Sequence, residues 1–561
     1  MKLDLSTSEN PDDVESWPNA LPRRNEAVFL AVCVVSAFVI RFLLIPQDST
    51  IKGDGIYYAT LGREIMLGNL SEGISAYWAP LYSILIGISS LFFQDLEFAG
   101  RFVSVVAGTL LIIPSYFLIQ KFYGRIPAYI GTILVVIQPS LIMSSVWVMT
   151  ESLYALIFTT VVLTGWLALK SGKGRSFFFT GLLFGAAYLT KPEALGFVVL
   201  FAALMLGGKF FCNNIGYRRL TINYLMLFIG LAIFVVPYVV FIHQKTGNWT
   251  ISQKLLSNVP AVESNKGLLK LTDDGETTMR DRLFLDGYNT KGQTSKISQA
   301  IDPATANAPA AELDYKHLIS KTFDQLYRQL REHIPAILPY FFIFLAGFGF
   351  FFKSWAMRRT AEEVYLFLFV ACTFIGYAAT VIELRYLYTI IPILMAWVAY
   401  GSVAFSGVIT KTGSHFLKAG WKIKPVFVQV FILLILTVSL KALFLGQFGP
   451  PQLEDMPFEE KQAGLWLKNH AEPNSLVMAS NATVAFYAGA KLIFLPDEEF
   501  STILEYARRK KVNYVVLSER RLKNIPNAFR LAEEYCSKEL SLVYQEEQAP
   551  NYKIRIYQMV N

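Results

Sequence analysis

Cysteine is scarce in this chain: four among 561 residues, at positions 33, 212, 372 and 536, and three of these lie in apolar runs. Cysteines scattered in this way exclude a disulfide framework and a clustered zinc site. Charge is scarce too. Asp, Glu, Lys and Arg make up 17% of the residues, against about 25% in an ordinary soluble domain. Residues 1–26 are polar and mixed in charge, which does not suit a cleaved signal peptide, so the first apolar helix is expected to stay as an anchor. No internal repeat is visible, and the C-terminal region holds no Gly-rich phosphate loop. What the chain does have is apolar residues, 53% of the total, with 14% aromatic and a mean hydropathy of +0.40. They come in long blocks rather than periodic stripes, which marks a polytopic membrane protein. The net charge of +8 does not point to nucleic acid, because the basic residues form short clusters between apolar runs, as in cytoplasmic loops.

Apolar runs fall at roughly 27–45, 80–93, 101–119, 127–144, 152–169, 176–190, 193–208, 221–243, 335–352, 363–381, 386–408 and 425–446. The run at 80–93 is short for a span and suits an interfacial or re-entrant segment. If it does not cross, eighteen basic loop residues, from Lys2, Arg23 and Arg24 to Lys411, Lys418, Lys422 and Lys424, share the side of the N-terminus. The opposite short loops then hold five: Lys52, Arg63, Arg101, Lys191 and Arg385. That asymmetry places the N-terminus in the cytoplasm and gives about eleven spans. The resulting organisation is a cytoplasmic segment 1–26, a membrane domain 27–446 and an outer domain 452–561. Within the membrane domain, outer loop 47–100 carries the candidate chemistry and polar outer loop 244–334 reads as a lid. In the tail, 476–479, 491–495 and 512–517 read as strands and 500–510 and 527–535 as helices, with edge strands at 540–544 and 554–559. This pattern predicts a small α/β domain with a mostly parallel sheet and an accessory role.

The stretch Gly53-Asp54-Gly55-Ile56-Tyr57-Tyr58 follows the first apolar run, which only Arg41 interrupts. A carboxylate where the chain leaves the membrane is costly unless it works, although an Asp-Gly turn explains it equally well. The same outer face collects Glu151, Lys191, Glu193, Glu383 and Arg385. Each has a plainer reading: a snorkelling cation, an acid complementing a helix dipole, or ion pairs within Lys191/Glu193 and Glu383/Arg385. Acids and cations from separate parts of the chain on one face suit a general base beside a phosphate site. Tyr57, Tyr58, Tyr77, Trp78, Tyr82 and Tyr386 cluster in the same loops, where an interfacial belt and sugar stacking both account for them.

The order of these motifs resembles the C-type (GT-C) membrane glycosyltransferases, in the family 39-like branch of protein O-mannosyltransferases and aminoarabinose lipid A transferases. The motifs are Gly53 to Tyr58, Trp78-Ala79-Pro80-Leu81-Tyr82, Arg101, Thr150-Glu151, Leu189 to Glu193 and Arg385-Tyr386, and the likeness spans about 27–446. It implies a catalytic role for Asp54 and Glu151, and substrate contacts for Lys191, Arg385, Tyr57, Tyr58, Arg101, Glu193, Tyr82 and Tyr386. The chain departs from the family in carrying Glu151 where Asp is common and Lys191 where Arg is common. Gly55 also follows Asp54, so the mannosyltransferases' paired Asp-Glu is missing, which argues against protein mannosylation as the specific activity. The implied activity is inverting transfer of a sugar from a polyprenyl-phosphate donor to a lipid, glycan or protein acceptor at the outer face. A divalent metal, magnesium or manganese, held by Asp54 and Glu151 would fit such a site, although the sequence does not require one. A lipid or sugar transporter shares this hydropathy, but it usually shows internal repeats and charges spread through mid-membrane helices.

Overall fold

A computed structural model describes residues 23–45, 50–51, 53–207, 216–247, 249–252, 315–352, 357–380, 383–416, 424–448, 457–472, 475–495, 500–522, 539–548 and 552–560. Among these, seven helices are long and apolar enough to span a membrane: Asn25–Leu43, Leu96–Tyr123, Glu151–Ser171, Tyr217–Thr246, Arg359–Ala379, Leu384–Thr412 and Pro425–Leu445. Two bent pairs raise the number to nine. Arg125–Ile137 meets Pro139–Val146 at 48°, and Ile319–Ile337 meets Tyr340–Phe351 at 108°. Proline explains both bends, since Pro139 and Pro339 each remove a helical N–H at the break. The two breaks are joined: the Gln138 side-chain amide donates to the Ile337 carbonyl at 2.7 Å. Arg41 is fully buried. Its guanidinium reaches the Val136 carbonyl at 3.3 Å, a cation at the end of the helix before the first bend.

The other two expected spans are shorter than a bilayer. Gly174–Tyr188 and Ala194–Leu206 have 15 and 13 residues, roughly 22 and 20 Å of helix against a hydrocarbon core of about 30 Å. The helix stops at the break holding Thr190-Lys191-Pro192-Glu193, where Pro192 cannot continue the hydrogen-bond ladder. Pro80–Ser90, at 11 residues, is too short to span, as its sequence predicts. The Leu81 N–H donates to the Leu189 carbonyl at 2.9 Å, tying this short helix to the break.

Most of the expected lid, residues 253–314, lies outside the described residues. Its C-terminal part is helical rather than loop: Tyr315–Arg328 continues through a π-turn, Gln329–His333. In the C-terminal domain the strands are β1 (Leu476–Ala479), β2 (Lys491–Phe494), β3 (Tyr514–Ser518), β4 (Leu540–Gln548) and β5 (Tyr552–Met559), in the order β2-β1-β3-β5-β4. The first three are parallel and the last two antiparallel. The sheet is therefore mixed, because β4 and β5 are joined by a short hairpin, which forces antiparallel pairing. Helix Phe500–Arg509 matches its expectation, and the helix expected at 527–535 lies outside the described residues.

Candidate active site

Asp54 is the first residue of a 13-residue helix, Asp54–Met66, rather than part of a loop. Its two glycine neighbours serve different ends. Gly53 has φ 48°, a left-handed conformation that glycine adopts without strain. At Gly55, an added Cβ would lie 2.6 Å from the Val148 carbonyl oxygen, so this glycine lets the segment press against the stretch that leads to Glu151. Glu151 likewise opens its helix, Glu151–Ser171. Both carboxylates thus stand at helix N-termini, where the dipole favours negative charge. Asp54 is part-exposed, whereas Glu151 keeps 4% of its side-chain surface.

The cations come from elsewhere in the chain. Lys191, in the break between the two short helices, puts its Nζ 3.2 Å from Glu151 Oε1. The same ammonium lies 4.6 Å from the centre of the Tyr386 ring and 5.6 Å from that of Tyr154. Arg385 sits in the 3₁₀ turn Leu384–Ile390. Its Nη2 is 3.5 Å from Asp54 Oδ2, and its Nε is 3.7 Å from Glu151 Oε1 and 2.6 Å from Glu383 Oε2. A single guanidinium therefore links the two acids. Of the pairs weighed from sequence, Glu383/Arg385 forms, whereas Lys191 turns to Glu151 and leaves a buried Glu193 Oε2 without a hydrogen-bond partner among the described residues.

A cleft of about 350 Å³, counted to its open mouth, is lined by Asp54, Tyr58, Glu151, Lys191, Glu193 and Tyr386 among others, and Arg385 pairs with two of these acids. Three expected contact residues are placed behind that lining. Tyr57 is buried and stacks on Trp78 with centroids 5.5 Å apart. Tyr82 is fully buried, its hydroxyl 2.7 Å from Ser104 Oγ and donating to the Gly100 carbonyl at 3.1 Å. Arg101 is buried in an ion pair with Glu97 and donates to the Val146 carbonyl at 3.4 Å.

Two tyrosines beside the site were not anticipated. Tyr154 and Tyr377 are buried with hydroxyls lacking a hydrogen-bond partner among the described residues, and Tyr377 stacks on Tyr386 at 4.8 Å. Tyr154 follows Glu151 by one helical turn, a spacing that could have flagged it. Tyr377 carries no such signal, because a tertiary contact brings it there.

Residues 78–241 match a family model described as dolichyl-phosphate-mannose-protein mannosyltransferase. No curated protein matches the chain by sequence. Among solved structures, ArnT from Cupriavidus metallidurans bound to undecaprenyl phosphate superposes with a TM-score of 0.54 at 12% identity, covering 96% of this chain and 98% of that one. The archaeal oligosaccharyltransferase AglB from Archaeoglobus fulgidus, in complex with an inhibitory peptide and a dolichol-phosphate, gives 0.52 at 13% identity, over 96% of this chain and 74% of the other. An Archaeoglobus fulgidus oligosaccharyltransferase complex with Zn and sulfate gives 0.56 at 13%, over 95% and 73%. The chain thus shares its fold with ArnT and with the archaeal oligosaccharyltransferase, and its segment 78–241 is similar to the mannosyltransferase model.

Proposed function

We propose that this protein transfers a sugar from a polyprenyl-phosphate donor to a lipid, glycan or protein acceptor of the cell envelope, at the outer face of the plasma membrane and with inversion at the anomeric carbon. The observation that carries this reading is the meeting of four ionisable residues from four separate segments: Asp54, Glu151 and Lys191 line one cleft, and Arg385 pairs with both of its acids. Asp54 takes the proton of the acceptor hydroxyl as its oxygen bonds to the anomeric carbon. The bond from that carbon to the phosphate oxygen breaks on the opposite face, and the electron pair leaves with the polyprenyl phosphate. General-base help of this kind is worth roughly 10²–10⁴-fold. Lys191 and Arg385 stabilise the departing phosphate. The N-terminus is cytoplasmic and the C-terminal domain outside.

Arg385 pairs with Asp54, Glu151 and Glu383. An anionic phosphate competes for the same guanidinium fork. As Arg385 turns to the phosphate it releases Asp54, so arrival of the donor and freeing of the base become one event. Asp54 and Glu151 are the pair that would hold a divalent cation, but the donor set does not fit one. No His, Cys, Asp or Glu completes a group of three among the described residues, and the Arg385 guanidinium stands between the two carboxylates. No step is assigned to a metal.

The test is reconstitution in liposomes with a panel of labelled polyprenyl-phosphate pentoses and hexoses and an envelope extract as acceptor. Transfer with inverted configuration that disappears in Asp54→Asn is expected. Absence of transfer from every donor would sink the proposal.

A further inference from the structure

The C-terminal domain meets the membrane domain through a polar knot. The hydroxyl of Tyr487, on the short helix Thr483–Ala488, accepts the Ile51 backbone N–H at 2.9 Å and donates to Glu97 Oε2 at 2.7 Å. Lys461 approaches the same carboxylate oxygen at 3.4 Å and lies 5.1 Å from the centre of the Tyr487 ring. Glu97 also pairs with Arg101 through its other oxygen. Burial first, and the Glu97 carboxylate after it, push the Tyr487 pKa well above the ordinary phenol value, so the hydroxyl keeps the proton it donates.

The knot leads to both acids of the site. Ile51 precedes Asp54 by three residues. Its side chain also backs Gly55, whose added Cβ would meet Ile51 Cγ1 at 3.2 Å as well as the Val148 carbonyl. Arg101 binds the Val146 carbonyl at 3.4 Å and lies 5.7 Å from the centre of the Trp147 ring, on the stretch that runs into Glu151. Glu97 thus gathers one connection toward Asp54, through Tyr487 and Ile51, and one toward Glu151, through Arg101. The carboxylate is buried and holds all three partners at once, so a shift of the C-terminal domain is passed to both loops.

We infer that Tyr487 is a positioning residue for the candidate active site, and that the C-terminal domain, through its hydroxyl, fixes the segment carrying Asp54. The domain is thereby a structural part of the site rather than an appended module. The effect on catalysis rests on the sugar-transfer reading; the effect on the Ile51 segment does not.

The experiment compares the full-length protein with its Tyr487→Phe and Lys461→Met variants in detergent micelles. Hydrogen exchange is measured on the peptide carrying the Ile51 amide, and transfer kinetics are measured in parallel. Tyr487→Phe keeps the ring and removes only the hydroxyl. It is expected to speed exchange of that amide by about tenfold or more. Lys461→Met leaves the hydroxyl bridge in place and should exchange like wild type. Transfer by Tyr487→Phe should lose kcat by about tenfold with donor KM nearly unchanged. In an Asp54→Asn background the same change should cost almost nothing further, because the residue being positioned is already disabled. Unchanged exchange in Tyr487→Phe, or equal acceleration in Lys461→Met, overturns the inference even if the protein transfers no sugar at all. Accelerated exchange with full turnover overturns the positioning role while leaving the transferase reading intact.

Discussion

Two buried carboxylates, Glu151 and Glu363, have nearly the same neighbours and opposite accounts. Glu363 accepts from the Tyr123 hydroxyl and from Trp397 Nε1, both at 2.9 Å on Oε2, and pairs with Arg359 at 2.9 Å on Oε1. Each oxygen has a partner aimed at it, and the Arg359 guanidinium packs over the Tyr400 ring at 4.7 Å. Glu151 also has a cation at 3.2 Å, the Lys191 ammonium, which itself lies near the Tyr154 and Tyr386 rings. Yet its Oε2 has no hydrogen-bond partner among the described residues, and it shares Arg385 with Asp54 and Glu383. A saturated buried carboxylate stiffens the bundle; one left partly unsatisfied beside a cleft has capacity for a ligand. The comparison separates a satisfied acid from one with an oxygen to spare without appeal to residue type.

The largest expected effect breaks the comparison at its working end. Asp54→Asn is isosteric and removes the basic oxygen, so transfer should fall by about two orders of magnitude or more, with thermal stability unchanged. Glu363→Gln should do the reverse: the apparent melting temperature drops because the part-buried Arg359 loses its counter-charge, while turnover per folded molecule stays near wild type. Near-normal turnover in Asp54→Asn would remove its assignment as the base.

The cations come next. Arg385 reaches three carboxylates through two different nitrogens, which a lysine's single ammonium cannot do. Arg385→Lys should therefore cost on the order of tenfold in transfer. Lys191 presents one nitrogen to one oxygen, so Lys191→Arg should keep most activity. Lys191→Met should raise the apparent KM for the donor and leave Glu151 buried without its nearest cation. If Lys191→Met binds and turns over donor normally, Lys191 is a structural partner of Glu151 and the phosphate site rests on Arg385.

How much of this was legible in the chain follows from the range of each signal. Apolar blocks and the asymmetry of loop charge are local and additive, so helix positions were readable, including the short helix that begins at Pro80. The two half-length helices around Lys191 look like spans in sequence because an apolar run does not reveal where its helix stops. The acids and cations were picked out by residue type at the outer loops, but their pairing was not. Lys191 passes over Glu193, two positions away, for Glu151, forty positions away, a choice made by tertiary packing. The missing Cβ of Gly55 makes room for the Val148 carbonyl, a contact between distant segments that the hexapeptide itself does not announce. Nothing in the tail marked Tyr487. The one local clue was the Glu97/Arg101 spacing of four, which sets both side chains on one helix face.

A smaller effect sharpens the packing side of the argument. Gly55→Ala would place a Cβ 2.6 Å from a backbone oxygen, which has no rotamer to yield. The two acid-bearing segments must part by a fraction of an ångström, costing about 1–3 kcal/mol of stability. Transfer should fall by roughly tenfold, since misplacement on this scale is felt by positioned groups. Full activity in Gly55→Ala would show that the approach of the two segments is not needed for the chemistry.

The smallest effect expected is that of chelation, and it bears on what the unsatisfied oxygen of Glu151 is for. Magnesium or manganese takes oxygen ligands in a near-octahedral shell and tolerates few protein contacts when a phosphate supplies others. Asp54 and Glu151 could supply such contacts, but both lie within 3.7 Å of one guanidinium. Seating a dication between them while Arg385 holds both would put it against a like charge beside the buried Glu151, where repulsion is only partly screened. On the proposed reading Arg385 and Lys191 do the work a metal would do, and EDTA should change transfer by less than about twofold. If EDTA abolished transfer and manganese restored it, Arg385 must leave both acids when the donor binds. The contrast with Glu363 would then sharpen: Glu151 keeps an oxygen free because a cation completes it.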